Sequence, residues 1–126
     1  RDRPGRLTRS DGRYRTDAFE MLKREWVKAE VLPIGKRIAV WGAGKTGRRW
    51  LRWLLSEGYT VVAVVDDFVG TERQGVPVVR LEAFDTLKVD CLLVAVGVRG
   101  ARAIVRAEIV QRRPDLIEGR DWWCLA

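Results

Sequence analysis

The chain has 126 residues, of which 47% are hydrophobic and 33% are charged, and its formal net charge is +7. A chain of this length buries roughly two-thirds of the surface that it exposes when unfolded, which suits one core and not two. No apolar run approaches the ~18–20 residues that a membrane span needs, so we expect no membrane span. The first four residues, RDRP, include neither an initiator methionine nor a signal peptide, so we expect a piece of a longer protein.

The side-chain inventory excludes several kinds of catalytic centre. The sequence has no histidine, which removes the commonest general base, the Ser-His and Cys-His nucleophile pairs and most zinc sites. Cys91 and Cys124 are too few for a closed zinc site or a disulfide framework, and we expect both to be packing residues. We therefore predict no metal site and no catalytic residue in this chain, and a reducing, cytoplasmic setting.

Positive charge is concentrated at the start of the chain. Residues 1–16 contain six arginines against two aspartates, which gives a net charge of +4. Such an arm could bind nucleic acid, anionic lipid or an acidic neighbour. Nucleic acid is disfavoured because no nucleic-acid-binding motif follows the arm. We interpret the arm as a solvated linker or as a packing surface for a preceding domain.

The predicted organisation is a basic arm with a connecting helix over residues 1–35, followed by a single α/β domain over residues 36–126. Asp17 and Glu20 have the spacing of a capping box, which predicts the start of the connecting helix. Three apolar residues recur at helical spacing and would form one stripe on this helix: Phe19, Leu22 and Trp26. Pro33 and Gly35 end the helix.

Short apolar runs alternate with helical patterns through the rest of the chain. The predicted strands span residues 38–41, 60–65, 76–79, 91–96 and 122–125. The predicted helices span about 45–57, 81–87 and 99–112. In the first we expect Trp50, Leu51 and Leu54 to face the core, and in the last we expect the core-facing residues to be Ala103, Ile104, Ala107 and Val110. This alternation predicts an α/β fold, a Rossmann-like open parallel sheet of about five strands in the order 3-2-1-4-5 with helices on both faces.

One motif in this domain points to ligand chemistry, the turn Gly42-Ala43-Gly44-Lys45-Thr46-Gly47. Its G-x-G-x-x-G spacing follows a predicted strand and opens a predicted helix, as the dinucleotide-binding fingerprint requires. Gly42 would permit the tight turn, Gly44 would let a pyrophosphate approach the backbone, and Gly47 would let the helix approach the sheet. The N-terminus of the helix would then offer free N–H groups and a partial positive charge to the phosphates.

An acidic residue stands where the fingerprint expects one. Asp66 ends the second predicted strand and could accept hydrogen bonds from ribose hydroxyls, while its charge would repel a 2′-phosphate. NAD or another ribonucleotide is therefore favoured over NADP. Asp67 could share this role or begin the following loop. Lys45 could reach a phosphate or could be a solvated residue of the first helical turn. A P-loop is rejected because the glycine that it needs five positions before Gly44 is replaced by Ala39.

The loop after the fourth predicted strand is the second candidate region. In open α/β sheets, ligands bind at the carboxyl ends of the strands where the strand order reverses. Gly97 and Arg99 lie in this loop, and Arg99 or Arg102 could pair with a second phosphate or a sugar acid. Two bulky residues near the expected cleft, Trp41 and Phe68, would exclude a nucleotide if they filled it. The candidate binding residues are thus Gly42, Ala43, Gly44, Lys45, Thr46, Gly47, Asp66, Asp67, Gly97 and Arg99.

Several segments of the chain resemble known proteins. Residues 6–14, the helix from Phe19 to Trp26 and residues 38–49 resemble the C-terminal portion of bacterial family 2 glycosyltransferases. The appended domain is also similar to this chain at the Asp66-Asp67 turn, at the Gly75-Val76-Pro77-Val78 strand and at residues 94–97 and 122–125. The nucleotide-sugar-binding subdomain of bacterial sugar acetyltransferases is similar to this chain at the glycine turn and at the Gly75-Val76-Pro77-Val78 strand. The resemblance implies a Rossmann-like domain beside an upstream catalytic domain. The Asp-x-Asp metal site of such transferases has no counterpart in this chain.

Three functions remain open at this point. The first is a non-catalytic accessory domain that binds a nucleotide or nucleotide-sugar, with NAD or a nucleotide-sugar as the expected ligand. The second is a vestigial Rossmann module that serves domain docking or dimerisation, so a homodimer is also considered. The third is a small NAD-dependent oxidoreductase domain, against which the missing proton donor and substrate domain both count.

Overall fold

The computed structural model describes residues 21–31, 36–67, 71–98 and 100–125. The chain divides into two units, Arg1–Pro33 and Ile34–Ala126. In the first unit an α-helix over residues 21–26 (α1) continues into a π-helical turn, Val27–Val31. Leu22 and Trp26 are both exposed, so these two residues of the expected stripe are not buried. Asp17, Phe19, Glu20, Pro33 and Gly35 lie outside the described residues.

The second unit is built on a six-stranded sheet. Its strands are β1 (Arg37–Trp41), β2 (Thr60–Val65), β3 (Glu72–Arg73), β4 (Val76–Val79), β5 (Cys91–Val94) and β6 (Trp122–Cys124). Their order is β3-β4-β2-β1-β5-β6, and every pairing is parallel except that of β3 with β4. The expected Rossmann-like sheet and its order of five parallel strands are confirmed. The addition is β3, a two-residue strand joined to β4 by a turn at Gln74 and Gly75, both of which have positive φ.

Three helices cover the sheet: α2 (Lys45–Ser56), α3 (Leu81–Phe84) and α4 (Ala101–Arg112). We call the side of the sheet that packs on α2 the α2 face, where Leu51 packs with Val64 and Val76. We call the other side the α3–α4 face, where α3 contributes Phe84 and α4 contributes Val105 and Ile109. Helices on both faces are the expected arrangement for a parallel sheet.

The core-facing side of α4 differs from the expectation. Ala103, Ile104, Ala107 and Val110 were expected to face the core, and all four are exposed. The buried residues of α4 are Val105 and Ile109, which lie one helical turn apart and about half a turn around the helix from the expected stripe. Apolar residues occur on both sides of this helix, so periodicity alone could not show which side packs. The expectation for α2 is confirmed, since Trp50, Leu51 and Leu54 are buried.

The parallel pairing of β5 and β6 separates the two cysteines. Leu92 pairs with Trp122 and Val94 pairs with Cys124, so Cys91 lies at the start of β5 and Cys124 at the far end of β6. Both cysteines are free thiols. Burial raises the pKa of Cys91 to about 12, as expected for a thiol packed among apolar side chains. The packing role expected for both cysteines is confirmed.

Candidate nucleotide site

The glycine turn joins β1 to α2 at the carboxyl edge of the sheet. Gly42 follows β1 with φ of +124°, a conformation that side chains rarely adopt, and its N–H donates to the Val65 carbonyl at 3.0 Å. A Cβ at Gly42 would lie 2.6 Å from the Ala95 carbonyl oxygen. A Cβ at Gly47 would overlap the Gly42 carbonyl oxygen at 1.9 Å. Gly42 and Gly47 are therefore required by the packing of the turn itself.

Gly44 has no such structural requirement. Its φ of −79° and ψ of −163° are accessible to any residue, and a Cβ placed there would meet nothing within 4 Å. Gly44 is also the N-cap of α2, a position where Ser, Asp or Asn would stabilise the helix more than glycine does. The fold thus leaves open space in front of Gly44, on the side from which a phosphate would approach.

The N-terminus of α2 has the electrostatics of an anion site. None of the described side chains caps this helix, and its first turn contains no acidic residue. Lys45 is the first helical residue and is exposed. A cation there is unfavourable for an isolated helix because the N-terminal end already carries partial positive charge. An anion bound at this end would be stabilised by the helix N–H groups and by Lys45 together.

Asp66 and Asp67 follow β2, and the carboxylate of each accepts a hydrogen bond from the backbone of a neighbouring segment. Asp66 Oδ2 accepts a hydrogen bond from the Ala43 N–H at 2.9 Å, which fixes the glycine turn against the end of β2. Asp67 Oδ1 accepts from the Leu81 N–H at 3.1 Å, at the start of α3. A carboxylate has about four lone-pair positions and can accept more than one hydrogen bond at a time. Arg73 Nε donates to the Ala43 carbonyl oxygen at 3.5 Å, so the next peptide of the turn also has a side-chain partner.

A cleft of about 670 Å³ opens in front of the turn. This volume lies within the range of small-molecule sites, roughly 300–1,000 Å³. Seven of the ten sequence-predicted residues line it: Gly42, Gly44, Lys45, Thr46, Asp66, Asp67 and Gly97. Ala43 and Gly47 support the turn without lining the cleft. Arg99 and Phe68 lie outside the described residues.

The loop after β5 lies against the glycine turn. A Cβ at Gly97 would lie 2.5 Å from Thr46 Oγ1, so this position also needs glycine for close packing. Arg102 does not line the main cleft but a neighbouring cavity of about 430 Å³, together with Arg106. Arg106 makes a bidentate ion pair with Glu118, with Nε 3.1 Å from Oε1 and Nη2 2.8 Å from Oε2. The expected role of Arg102 toward a second phosphate stays a prediction.

Trp41 does not fill the cleft. Its side chain is 6% exposed and packs edge-to-face on Phe84, with ring centroids 5.2 Å apart, so it forms one wall.

The residues that α3 and α4 contribute to the cleft were not predicted from the sequence: Leu81, Ala101, Ile104, Val105 and Glu108. No short motif marks them. For Glu108 the only local signal was an i,i+4 spacing to Arg112, which by itself indicates an ordinary helical ion pair.

Residues 34–109 match the family described as C2185-like, N-terminal. This chain belongs to the C2185-like N-terminal family. The matched residues run from the start of the sheet to the buried part of α4 and contain the whole glycine turn. No curated protein sequence matches the chain.

The C2185-like domain is similar to the crystal structure of RSP, a Rex-family repressor, with a TM-score of 0.55 and 18% sequence identity. The similarity covers 79% of this chain and 51% of the repressor chain, so this chain spans about half of that protein's length. At this identity the likeness shows a shared Rossmann-like fold, a fold of the nucleotide-binding type. None of the described helices has the length and apolar character that crossing a bilayer requires.

Proposed function

We propose that the C2185-like domain binds a nucleotide, with its diphosphate at the N-terminus of α2 and its ribose beside Asp66. The observation that carries this proposal is the contrast among the three glycines. Gly42 and Gly47 are required by contacts below 3 Å, whereas the space around Gly44 is empty. No contact of the fold requires glycine at position 44, whereas a diphosphate that approaches the backbone there does require it.

The cleft chemistry supports a ribose without a 2′-phosphate. Asp66 and Asp67 both line the cleft, and their carboxylates would accept from hydroxyl groups and repel a phosphate. Lys45 and the end of α2 supply positive charge for the diphosphate. NAD and nucleotide-sugars both have this combination of a diphosphate and a free ribose diol.

The test is a thermal-shift panel with NAD, NADP, UDP, UDP-sugars, GDP, CMP and CoA, each near 1 mM. A ligand with a Kd near 10 μM would add about 2.7 kcal/mol to stability. In a domain of this size we expect a rise in Tm on the order of 10 °C. NAD should give a larger rise than NADP.

The matched variants are Gly44→Asp and Gly44→Asn, which differ in charge and hardly in shape. Both residues are good N-caps, so we expect the Tm of the ligand-free protein to stay equal or to rise. Gly44→Asp should abolish the ligand-induced rise because it places a carboxylate at the phosphate position, and Gly44→Asn should weaken it. Absence of any rise for every ligand in the wild-type protein would contradict the proposal.

We further propose that this domain is an accessory module of a bacterial glycosyltransferase. The support is the resemblance of residues 6–14, of the helix from Phe19 to Trp26 and of residues 38–49 to the C-terminal portion of those enzymes. The coding sequence upstream of Arg1 tests it. A catalytic domain with an Asp-x-Asp metal site is the expected result, and an unrelated domain would refute the assignment.

A docking module is the second candidate function, favoured by exposed apolar side chains outside the cleft. Val110 is 57% exposed and Ile117 is 49% exposed, and neither lines the cleft. Large exposed apolar residues mark interaction surfaces when they form a patch. If no ligand in the panel changes the Tm, docking becomes the better-supported function of this domain.

A further inference from the structure

Glu108 differs in chemistry from every other cleft residue on the α3–α4 face. Of the described residues that α3 and α4 contribute to the cleft, Glu108 alone has a polar side chain; the others are Leu81, Ala101, Ile104 and Val105. Trp41 adds a further apolar wall on this face. An apolar cleft with one fixed polar group is the usual construction of a site that recognises a flat ring and reads one of its edges.

A neighbouring arginine fixes the position of this carboxylate. Arg112 Nε donates to Glu108 Oε1 at 2.8 Å, and Arg112 Nη1 donates to both carboxylate oxygens of Asp85 at 3.1 Å. These hydrogen bonds raise the pKa of Arg112. The group of three contains two carboxylates and one guanidinium, so it remains net negative. Arg112 does not line the cleft whereas Glu108 does, so Glu108 is the member of this group that a ligand in the cleft would meet.

The cleft extends from the N-terminus of α2 to α4, and these two regions differ in the part of a nucleotide that they suit. Gly44 and Lys45 belong to the N-terminal end of α2, which covers one face of the sheet, and Glu108 belongs to α4, which covers the other. With the diphosphate at α2, a nucleotide that crosses the carboxyl edge of the sheet brings its base to the apolar walls around Glu108.

We propose that Glu108 is a specificity-determining residue that selects bases with an exocyclic amino group over bases with a carbonyl at the same position. This inference rests on the proposed nucleotide binding. The amino groups of adenine and cytosine are donors, whereas the corresponding oxygens of hypoxanthine and uracil are acceptors. A carbonyl facing Glu108 would place two acceptors together and leave both without a donor. Nucleotides of the NAD and CDP type are thereby favoured over those of the UDP type.

The experiment measures the Kd of two matched ligand pairs by calorimetry, CDP with UDP and ADP with IDP. Within each pair the diphosphate, the ribose and the ring size are identical. We expect the amino-bearing member to bind about tenfold more tightly to the wild-type protein, as for a hydrogen bond to a charged group. Glu108→Gln should reduce both ratios to about two or less, because an amide can donate as well as accept.

Glu82→Gln is the matched control, since Glu82 is an exposed glutamate of α3 that does not line the cleft. It should leave both ratios unchanged. Equal Kd values within each wild-type pair, or ratios that persist in Glu108→Gln, would overturn the role of Glu108. Nucleotide binding that Gly44→Asp abolishes would still stand in that case. If none of the four diphosphates binds, the proposed function and this inference both fall.

Discussion

The two faces of the sheet are covered in different ways, and the difference explains where a ligand can enter. On the α2 face the described residues contribute one helix of 12 residues, α2, which buries Trp50, Leu51 and Leu54. On the α3–α4 face, α3 has only four residues, and the cleft opens between its Leu81 and the Ile104 and Val105 of α4. A continuous amphipathic helix closes one side, whereas a short helix beside a longer one leaves a gap with apolar walls.

Gly47→Ala should break the α2 face and have the largest effect. The new Cβ would lie 1.9 Å from the Gly42 carbonyl oxygen, so α2 must move away from the sheet. We expect a loss of at least about 3 kcal/mol in the free energy of unfolding, measured by urea denaturation. Gly44→Ala is the control, with an expected loss below about 1 kcal/mol, since nothing lies within 4 Å of that position. Equal losses for the two variants would contradict this view of the turn.

Arg113→Ala should loosen the α3–α4 face. The Arg113 side chain is only 13% exposed, and its Nη1 donates to the Phe84 and Leu87 carbonyl oxygens at 2.8 and 2.9 Å. The guanidinium also lies over the Phe84 ring, at 5.4 Å from the centroid. We expect a loss of about 2 kcal/mol, because the Phe84 and Leu87 carbonyls lose a charged donor. Arg120→Ala is the control in the same denaturation series, because Arg120 is 63% exposed and its removal should cost less than about 0.5 kcal/mol. A similar cost for both variants would mean that Arg113 does not hold α3 in place.

The contrast between the faces also shows what the sequence could reveal. On the α2 face every step was local: a buried strand, a glycine turn and one clearly amphipathic helix, so the helix bounds and its buried residues could be predicted. On α4 the same reasoning chose the wrong side, because Ile104 and Val110 are as apolar as Val105 and Ile109. Only the tertiary packing decides between two apolar stripes.

The candidate site also has one part that the sequence could predict and one part that it could not. The residues of the turn and the ends of the strands follow one another in a known pattern, and the structure brings Gly44, Lys45, Asp66 and Gly97 to one cleft. Glu108 comes from the second half of α4, two helical turns after the first cleft residue of that helix, Ala101. Its place depends on the packing of α3 against α4, which no local spacing encodes.

The pH dependence of the free energy of unfolding tests whether solvent reaches Cys91 on the α2 face. Cys91 pairs with Ile38, on the face that α2 covers, and burial raises its pKa from 9.0 to about 12. The folded state therefore holds the thiol proton more tightly than the unfolded chain does. Its stabilising contribution is complete below about pH 9 and is lost as the pH rises toward 12, at about 1.4 kcal/mol per unit.

Urea denaturation at pH 8 and pH 10 measures this loss. Cys91→Ala removes the titrating thiol, so its stability should fall by about 1 kcal/mol less than that of the wild-type protein between the two values. Other titrating groups contribute equally to both proteins. Parallel losses in the wild-type protein and in Cys91→Ala would mean that solvent reaches Cys91.

Ile104→Ser tests the cleft wall on the α3–α4 face and should have the smallest effect on the free energy of unfolding. Ile104 is 71% exposed and lines the cleft, whereas Val110, 57% exposed on the same helix, does not. Both Ile104→Ser and Val110→Ser should change the free energy of unfolding by less than about 0.5 kcal/mol, because neither side chain is in the core. If Ile104 packs on the nucleotide, Ile104→Ser should raise the Kd about fivefold, through lost apolar contact, while Val110→Ser leaves it unchanged. Equal Kd values for the two variants would place the base elsewhere, and the exposed side of α4 would then be better explained as a contact surface for another protein.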